Sequence, residues 1–303
     1  MKSTILFSIV TLVVLTFIVS CKTEKQKENP LIIYEDSTSV TERVKLARKS
    51  VTTVVADGLE LSLWATDSLA PDPIAMDIDK EGKIYITRSN RNKNSEFDIR
   101  GHRDWMTASI ALQSVKERRA FLHKTFAPEL SKENSWLEDL NNDSIHDWQD
   151  LAVERDEVWM LEDKDKDGMA DVSTQILNDF HDEVNDVAGA LLVRDDDVFV
   201  GIGPDMYRLK DSNGDLILDE KTSIAKGFAV HIGFGGHGMS GAIEGPDGKI
   251  YWGIGDIGAN ITTLDGTNHK YPNQGVIVRS NPDGSNFEVF AHGLRNTHEF
   301  VFD

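Results

Sequence analysis

Beyond residue 50 the chain alternates short apolar runs with clusters of Asp, Asn, Gly and Pro, the rhythm of short strands joined by tight turns. Leu59–Trp64 is one such run. Ile74–Ile78 and Ile84–Thr87 flank the turn at Asp79–Gly82 as a hairpin would. Asp196–Val200 with Met206–Leu209, and Ile250–Ile254 with Gly275–Arg279, read the same way. The phrase Asp-Lys-Glu-Gly-Lys-Ile-Tyr at 79–85 is echoed by Pro-Asp-Gly-Lys-Ile-Tyr at 246–251 and by Asn-Pro-Asp-Gly-Ser at 281–285. Each echo sets a tight turn before an alternating strand. Recurring strand–turn–strand units predict an all-β chain, and a repeat of this kind suits the blades of a β-propeller over residues 51–303.

One segment departs from the rhythm. His102–Phe126 has no Gly or Pro, and Trp105, Ile110, Leu112, Val115, Phe121 and Leu122 recur at helical spacing. This predicts a helical insertion near 102–127, ending by Pro128 and covering a sheet edge. The last residues, His298–Asp303, read as strand without a closing turn. A propeller must close or leave strand edges open, so the expectation is an incomplete propeller within a longer protein.

The first residues carry a different pattern. Lys2 precedes an uninterrupted apolar stretch, Ile5–Val19, which is short for a membrane span and suits the core of a signal peptide. Ile18-Val19-Ser20-Cys21 follows and resembles a bacterial lipobox. That implies a lipoprotein signal peptide over 1–20, lipidation of Cys21, and anchoring at the bacterial cell envelope, periplasmic or surface-facing. Residues 21–50 then serve as a tether, with Lys22–Pro30 polar as a linker would be.

Composition narrows the function mainly by exclusion. The 303 residues carry 51 acidic and 32 basic side chains, a net charge of -19. Such an acid excess argues against nucleic acid as a partner, because phosphate binding needs clustered Lys and Arg. Cys21 is the single cysteine, so the chain holds no internal disulfide, Cys-based zinc cluster or C-x-x-C-H haem site.

The acids are not scattered evenly. Three loops place Asp or Asn at positions 1, 3, 5 and 9. They are Asp139, Asn141, Asp143 and Asp147; Asp163, Asp165, Asp167 and Asp171; and Asp211, Asn213, Asp215 and Asp219. Alternate residues of a tight loop aim oxygens at one centre, which suits calcium. Only Gly168 supplies glycine at position 6. Asp150, Thr174 and Thr222 stand at position 12 where an EF-hand has Glu. The same residues also form ordinary solvated turns. Calcium in at least one loop, in a structural role, is the expectation.

Residues 231–260 are rich in glycine. Gly233, Gly235 and Gly238 satisfy G-x-G-x-x-G, but Gly241, Gly245 and Pro246 follow too soon for the helix that a dinucleotide fold requires. The glycines instead let the backbone pass close to a neighbour or ligand. His237 lies among them, with an imidazole suited to general-base work near neutral pH.

His237 followed by Gly245-Pro246-Asp247-Gly248-x-Ile250-Tyr251, then Gly255-Asp256-x-Gly258, and later Gly293-Leu294-Arg295-Asn296, resembles the quinoprotein glucose and sorbosone dehydrogenase-like propellers. The acidic stretch Leu161–Asp171 is closer to the large bacterial membrane-bound dehydrogenase propellers, which are often fused to a cytochrome c domain. The resemblance spans roughly 55–303 and is strongest from 229 onward. It implies His237 as the base that takes a hydroxyl proton. It also implies Arg295 and Asn296 beside pyrroloquinoline quinone (PQQ), a sugar or alcohol substrate, and a cytochrome as electron acceptor. That family places an Asp before the histidine, where this chain has Gly236, and an Arg where it has Ala259. The alternative is a non-catalytic, calcium-stabilised propeller that binds glycans or proteins.

Overall fold

The computed structural model describes residues 28–91 and 95–303. The signal segment and Cys21 lie outside the described residues. The described chain is mostly β, in three antiparallel sheets. In chain order its elements begin with β1 (Leu31–Tyr34) and α1 (Ser37–Ser50). The first sheet has β2 (Met76–Ile78), β3 (Ile84–Ser89), β4 (Asp156–Glu162) and β5 (Val172–Asp179), with β1 added outside β5. The second has β6 (Ala190–Arg194), β7 (Asp197–Ile202), β8 (Asp205–Lys210) and β9 (Glu220–Phe228). The third has β10 (Met239–Glu244), β11 (Ile250–Ile254), β14 (Gly275–Ser280) and β15 (Glu288–Leu294). Between β11 and β14 the chain leaves this sheet. Its hairpin β12 (Ala259–Thr262) and β13 (Asn268–Tyr271) pairs with β9 of the second sheet instead, tying the two together.

The turns explain why these runs fold as hairpins. Asp79 Oδ1 accepts the N–H groups of Glu81 and Lys83. Asp247 Oδ1 accepts that of Lys249, and Asp283 Oδ1 that of Ser285. Gly82, Gly248 and Gly284 each take φ between 72° and 85°, a region that costs glycine nothing. The echoed phrase is therefore one Asx-type turn used three times.

The sheets pack face to face. Val158, Met160 and Ile176 of the first meet Leu191, Val200 and Leu209 of the second. Phe199, Met206 and Phe228 of the second meet Trp252, Ile254 and Val276 of the third. Burial of these side chains, at roughly 1.5–3 kcal/mol each, holds the layers together. β6 touches both β2 and β10, so the first strands of the three sheets lie side by side.

Two expectations about boundaries change. Residues 31–50 do not act as linker. Asp36 caps α1 by accepting the Thr38 and Ser39 N–H groups at 3.0 Å each, and β1 pairs with β5 through Leu31–Tyr34. The apolar run Leu59–Trp64 forms no strand, and Leu59 and Leu61 stay exposed.

The helical insertion forms in pieces: a 3-10 turn (Arg103–Trp105), α2 (Met106–Ile110) and α3 (Val115–Thr125). Ser114 breaks it. Its Oγ accepts the Glu117 N–H and caps a new helix, while Glu117 reaches back to the Gln113 N–H. Trp105, Leu122 and Phe126 pack with Val184 and Ile232, so the insertion lies over the glycine-rich segment rather than only along a sheet edge. Among the described residues no helix is long and apolar enough to cross a membrane.

Candidate functional site

His237 comes just before β10, Asp256 just after β11 and Arg295 just after β15. In the third sheet β10 neighbours β11, and β11 and β15 both flank β14. Antiparallel pairing therefore brings the start of β10 and the ends of β11 and β15 to one edge. His237 Nδ1 lies 2.6 Å from Asp256 Oδ1. The Asp256 N–H donates to the Arg295 carbonyl at 2.7 Å, and the Gly255 N–H to the His237 carbonyl at 3.0 Å. Gly255 makes this crossing possible. A Cβ there would stand 2.7 Å from the His237 carbonyl and 3.0 Å from that of Arg295. The Phe234 ring bridges the group, 5.4 Å from the His237 ring and 5.6 Å from the Arg295 guanidinium carbon.

The chemistry follows from these contacts. His237 is buried, Asp256 half-buried, and Arg295 and Asn296 are exposed. A carboxylate on Nδ1 favours the tautomer with the proton there, leaving the Nε2 lone pair as the base. The two residues singled out in sequence thus come together, and Asn296 follows Arg295 in the chain. Gly236 does not orient the histidine; Asp256 does, from 19 positions downstream. Only the pairing of β10 with β11 makes them neighbours. Phe234, which sequence patterning would assign to the core, belongs to the site.

A cavity of about 40 Å³ lies along the glycine-rich segment, lined among others by Glu96, Arg118, Asp186, His231, Phe234 and Gly238. Burial pushes the Glu96 carboxyl up to about 7, and the charges of Asp186, Asp156 and Asp98 add to the rise. Burial also lowers the His231 pKa, so its ring is neutral near pH 7. Arg118 is almost wholly buried and donates to the carbonyls of Ala229 (2.7 Å) and Val184 (2.6 Å). Deeper still, Arg91 and Asp156 form an ion pair with no exposed surface, in which burial raises Asp156 to about 6. No local signal marks Glu96, Asp186 or Arg118, because they meet only through the fold.

The three acidic loops share one conformation. Position 4 (Asn142, Lys166, Gly214) and position 6 (Ser144, Gly168, Leu216) all have φ between 60° and 94°. The position-1 carboxylate accepts the N–H of position 6 in each: Ser144 to Asp139, Gly168 to Asp163, Leu216 to Asp211. The position-5 carboxylates Asp143, Asp167 and Asp215 each accept the N–H two residues on. The loops close differently. Asp171 and Asp219, at position 9, accept the N–H of position 2. In the first loop the buried Asp150 does so, and Asp147 turns inward. Asn141 and Asn213 keep their places within their loops, Asn141 accepting the Asp143 N–H. Among the described residues only Asp163, Asp165 and Asp171 gather three carboxylates, with oxygens within 4.8 Å of one another. Burial and the neighbouring acids raise the Asp165 pKa.

Residues 45–303 match a family described as a domain of unknown function, DUF7133. The chain belongs to that family. No curated protein and no solved structure matches it. Membership fixes kinship over most of the described chain and leaves the chemistry to be argued from the site.

Proposed function

We propose that the DUF7133 chain is a membrane-anchored, propeller-type dehydrogenase of the quinoprotein sugar dehydrogenase kind, with His237 as the base that takes the proton of a sugar or alcohol hydroxyl. The observation that carries this reading is the 2.6 Å contact between His237 and Asp256, with Arg295 in the same cluster. The propeller reading rests on three successive antiparallel sheets whose first strands adjoin.

In this reading Asp256 holds the imidazole so that Nε2 faces the substrate, and it stabilises the imidazolium formed by proton transfer. Phe234 forms one wall of the site. Arg295 fits an anionic, planar cofactor: its guanidinium is exposed and has no ion-pair partner among the described residues. With Asn296 it would hold PQQ, which supplies the hydride acceptor when bound. Electrons would pass on to a cytochrome c domain or protein. Cys21 would carry the lipid that anchors the chain at the cell envelope, and calcium held by Asp163, Asp165 and Asp171 would stiffen a loop beside β5.

The test is dye reduction by the full chain loaded with PQQ and Ca²⁺, across a panel of sugars and alcohols. Turnover is expected to fall by about 10²–10⁴ in His237→Ala and Asp256→Asn. Wild-type turnover that survives in His237→Ala would sink the assignment. The carboxylate group at 163, 165 and 171 favours a second reading, a calcium-stabilised glycan- or protein-binding scaffold. Saturable glycan binding with no turnover on any substrate would select it.

A further inference from the structure

Three residues lining the cavity carry a buried polar atom with no hydrogen-bond partner among the described residues: Arg118 Nε, a donor, Asp186 Oδ2, an acceptor, and His231 Nε2, an acceptor while Nδ1–H donates to the Ile232 carbonyl. Arg118 is only 7 % exposed, and both of its terminal nitrogens are already committed to carbonyls. Asp186 Oδ2 faces Gly238, where a Cβ would stand 2.7 Å away. Leaving a buried polar group unpaired costs about 1–3 kcal/mol, and more when it is charged. A donor and an acceptor in one small cavity call for a group that both accepts and donates, and a hydroxyl does both.

We propose that this cavity is a hydroxyl subsite: a polyol seats one hydroxyl there, accepting from Arg118 Nε–H and donating to Asp186 Oδ2. The volume limits the ligand. One water needs roughly 10–15 Å³ measured this way, so about 40 Å³ admits a single hydroxymethyl arm or ring hydroxyl rather than a whole sugar. Gly236 and Gly238, the chain neighbours of His237, line the cavity, so in the dehydrogenase reading the subsite sits next to the base. The subsite deepens the dehydrogenase reading, and rests on it for the claim that the ligand is a substrate. It narrows that substrate to molecules with at least two hydroxyls. Phe234 belongs to both the cavity lining and the His237 cluster.

Binding can be tested apart from turnover. Titration calorimetry on the full chain would compare glycerol with 1,2-dimethoxyethane, which has no hydroxyl to donate. Saturable glycerol binding is expected in the wild type and in His237→Ala, none with 1,2-dimethoxyethane, and at least about tenfold weaker glycerol binding in Asp186→Ala. Thermal unfolding at fixed pH would check that Asp186→Ala still folds. If it does not, Asp186→Leu, close in size and without an acceptor, replaces it. Unchanged glycerol binding in the folded variant overturns the subsite. So does a crystal structure with glycerol in which Arg118 Nε pairs directly with Asp186, or is bridged to it by a water that glycerol does not displace. Glycerol binding that survives in His237→Ala without wild-type turnover would sink the dehydrogenase reading and keep the subsite.

Discussion

Replacing Glu96 by Gln should make the protein more stable at neutral and alkaline pH and change little in acid. In the folded chain Glu96 ionises only near 7, against an ordinary value of 4.5, because burial disfavours its charge and Asp186 repels it. The sign follows from proton binding. Below pH 4.5 the carboxyl is protonated in both states and contributes no difference. Between 4.5 and 7 the unfolded chain gives up the proton while the folded one keeps it, so stability falls as pH rises. Above 7 both are ionised and the full penalty stands. A rise of this size amounts to at most about 3 kcal/mol, or roughly 5–10 °C in melting temperature for a chain of this class. Gln has nearly the same shape and no charge to bury, so the gap between variant and wild type should open from pH 4.5 to 8. Asp156, raised by burial to about 6, bends both curves alike and largely cancels in the difference. The assay is thermal unfolding of both proteins from pH 4.5 to 8.5. Parallel curves, with a constant offset at every pH, would refute the reasoning. Asp186→Asn should narrow the gap without closing it, because burial is the larger cause.

Further expectations can be checked by similar means. Gly255→Ala would press a methyl to within 2.7 Å of the His237 carbonyl and should cost about 1–3 kcal/mol, read as a lower urea midpoint at unchanged slope. Asp156→Ala leaves the Arg91 guanidinium buried without its carboxylate and should cost about 3–5 kcal/mol; a loss under 1 kcal/mol would mean that Arg91 finds another partner. If the loop at Asp163 holds calcium, chelation should lower the melting temperature of the wild type, and the double substitution Asp163→Asn with Asp165→Asn should abolish that response. An equal response in both proteins would place the calcium elsewhere.

Much of the fold is legible locally. Asp79, Asp247 and Asp283, each followed by glycine at the turn, set hairpins by hydrogen bonds within a few residues, so the all-β rhythm can be read without knowing what the strands pack against. The same is true of the acidic loops, whose shared conformation follows from Asp and Asn side chains bonding their own backbone. Of the tether expected over 21–50, residues 31–34 become strand because β5 offers an edge, which only the fold supplies, while the Asp36 cap of α1 is a local signal. Leu59–Trp64 shows the converse: an apolar run that pairs with no strand stays irregular.

The candidate site divides along the same line. The glycine-rich surroundings singled out His237, and the family resemblance pointed to Arg295. What neither could supply is the carboxylate for the histidine. Asp256 reaches His237 because β10 and β11 run antiparallel, and Arg295 joins them because β15 ends at the same edge. Glu96, Arg118 and Asp186 come from the loop after β3, helix α3 of the insertion and the loop before β6, and their burial gives them their chemistry. Local hydrogen bonding fixes turns and loops from a few neighbouring residues. Pairing across sheets and exclusion of water depend on the whole chain, and there the tertiary structure decides.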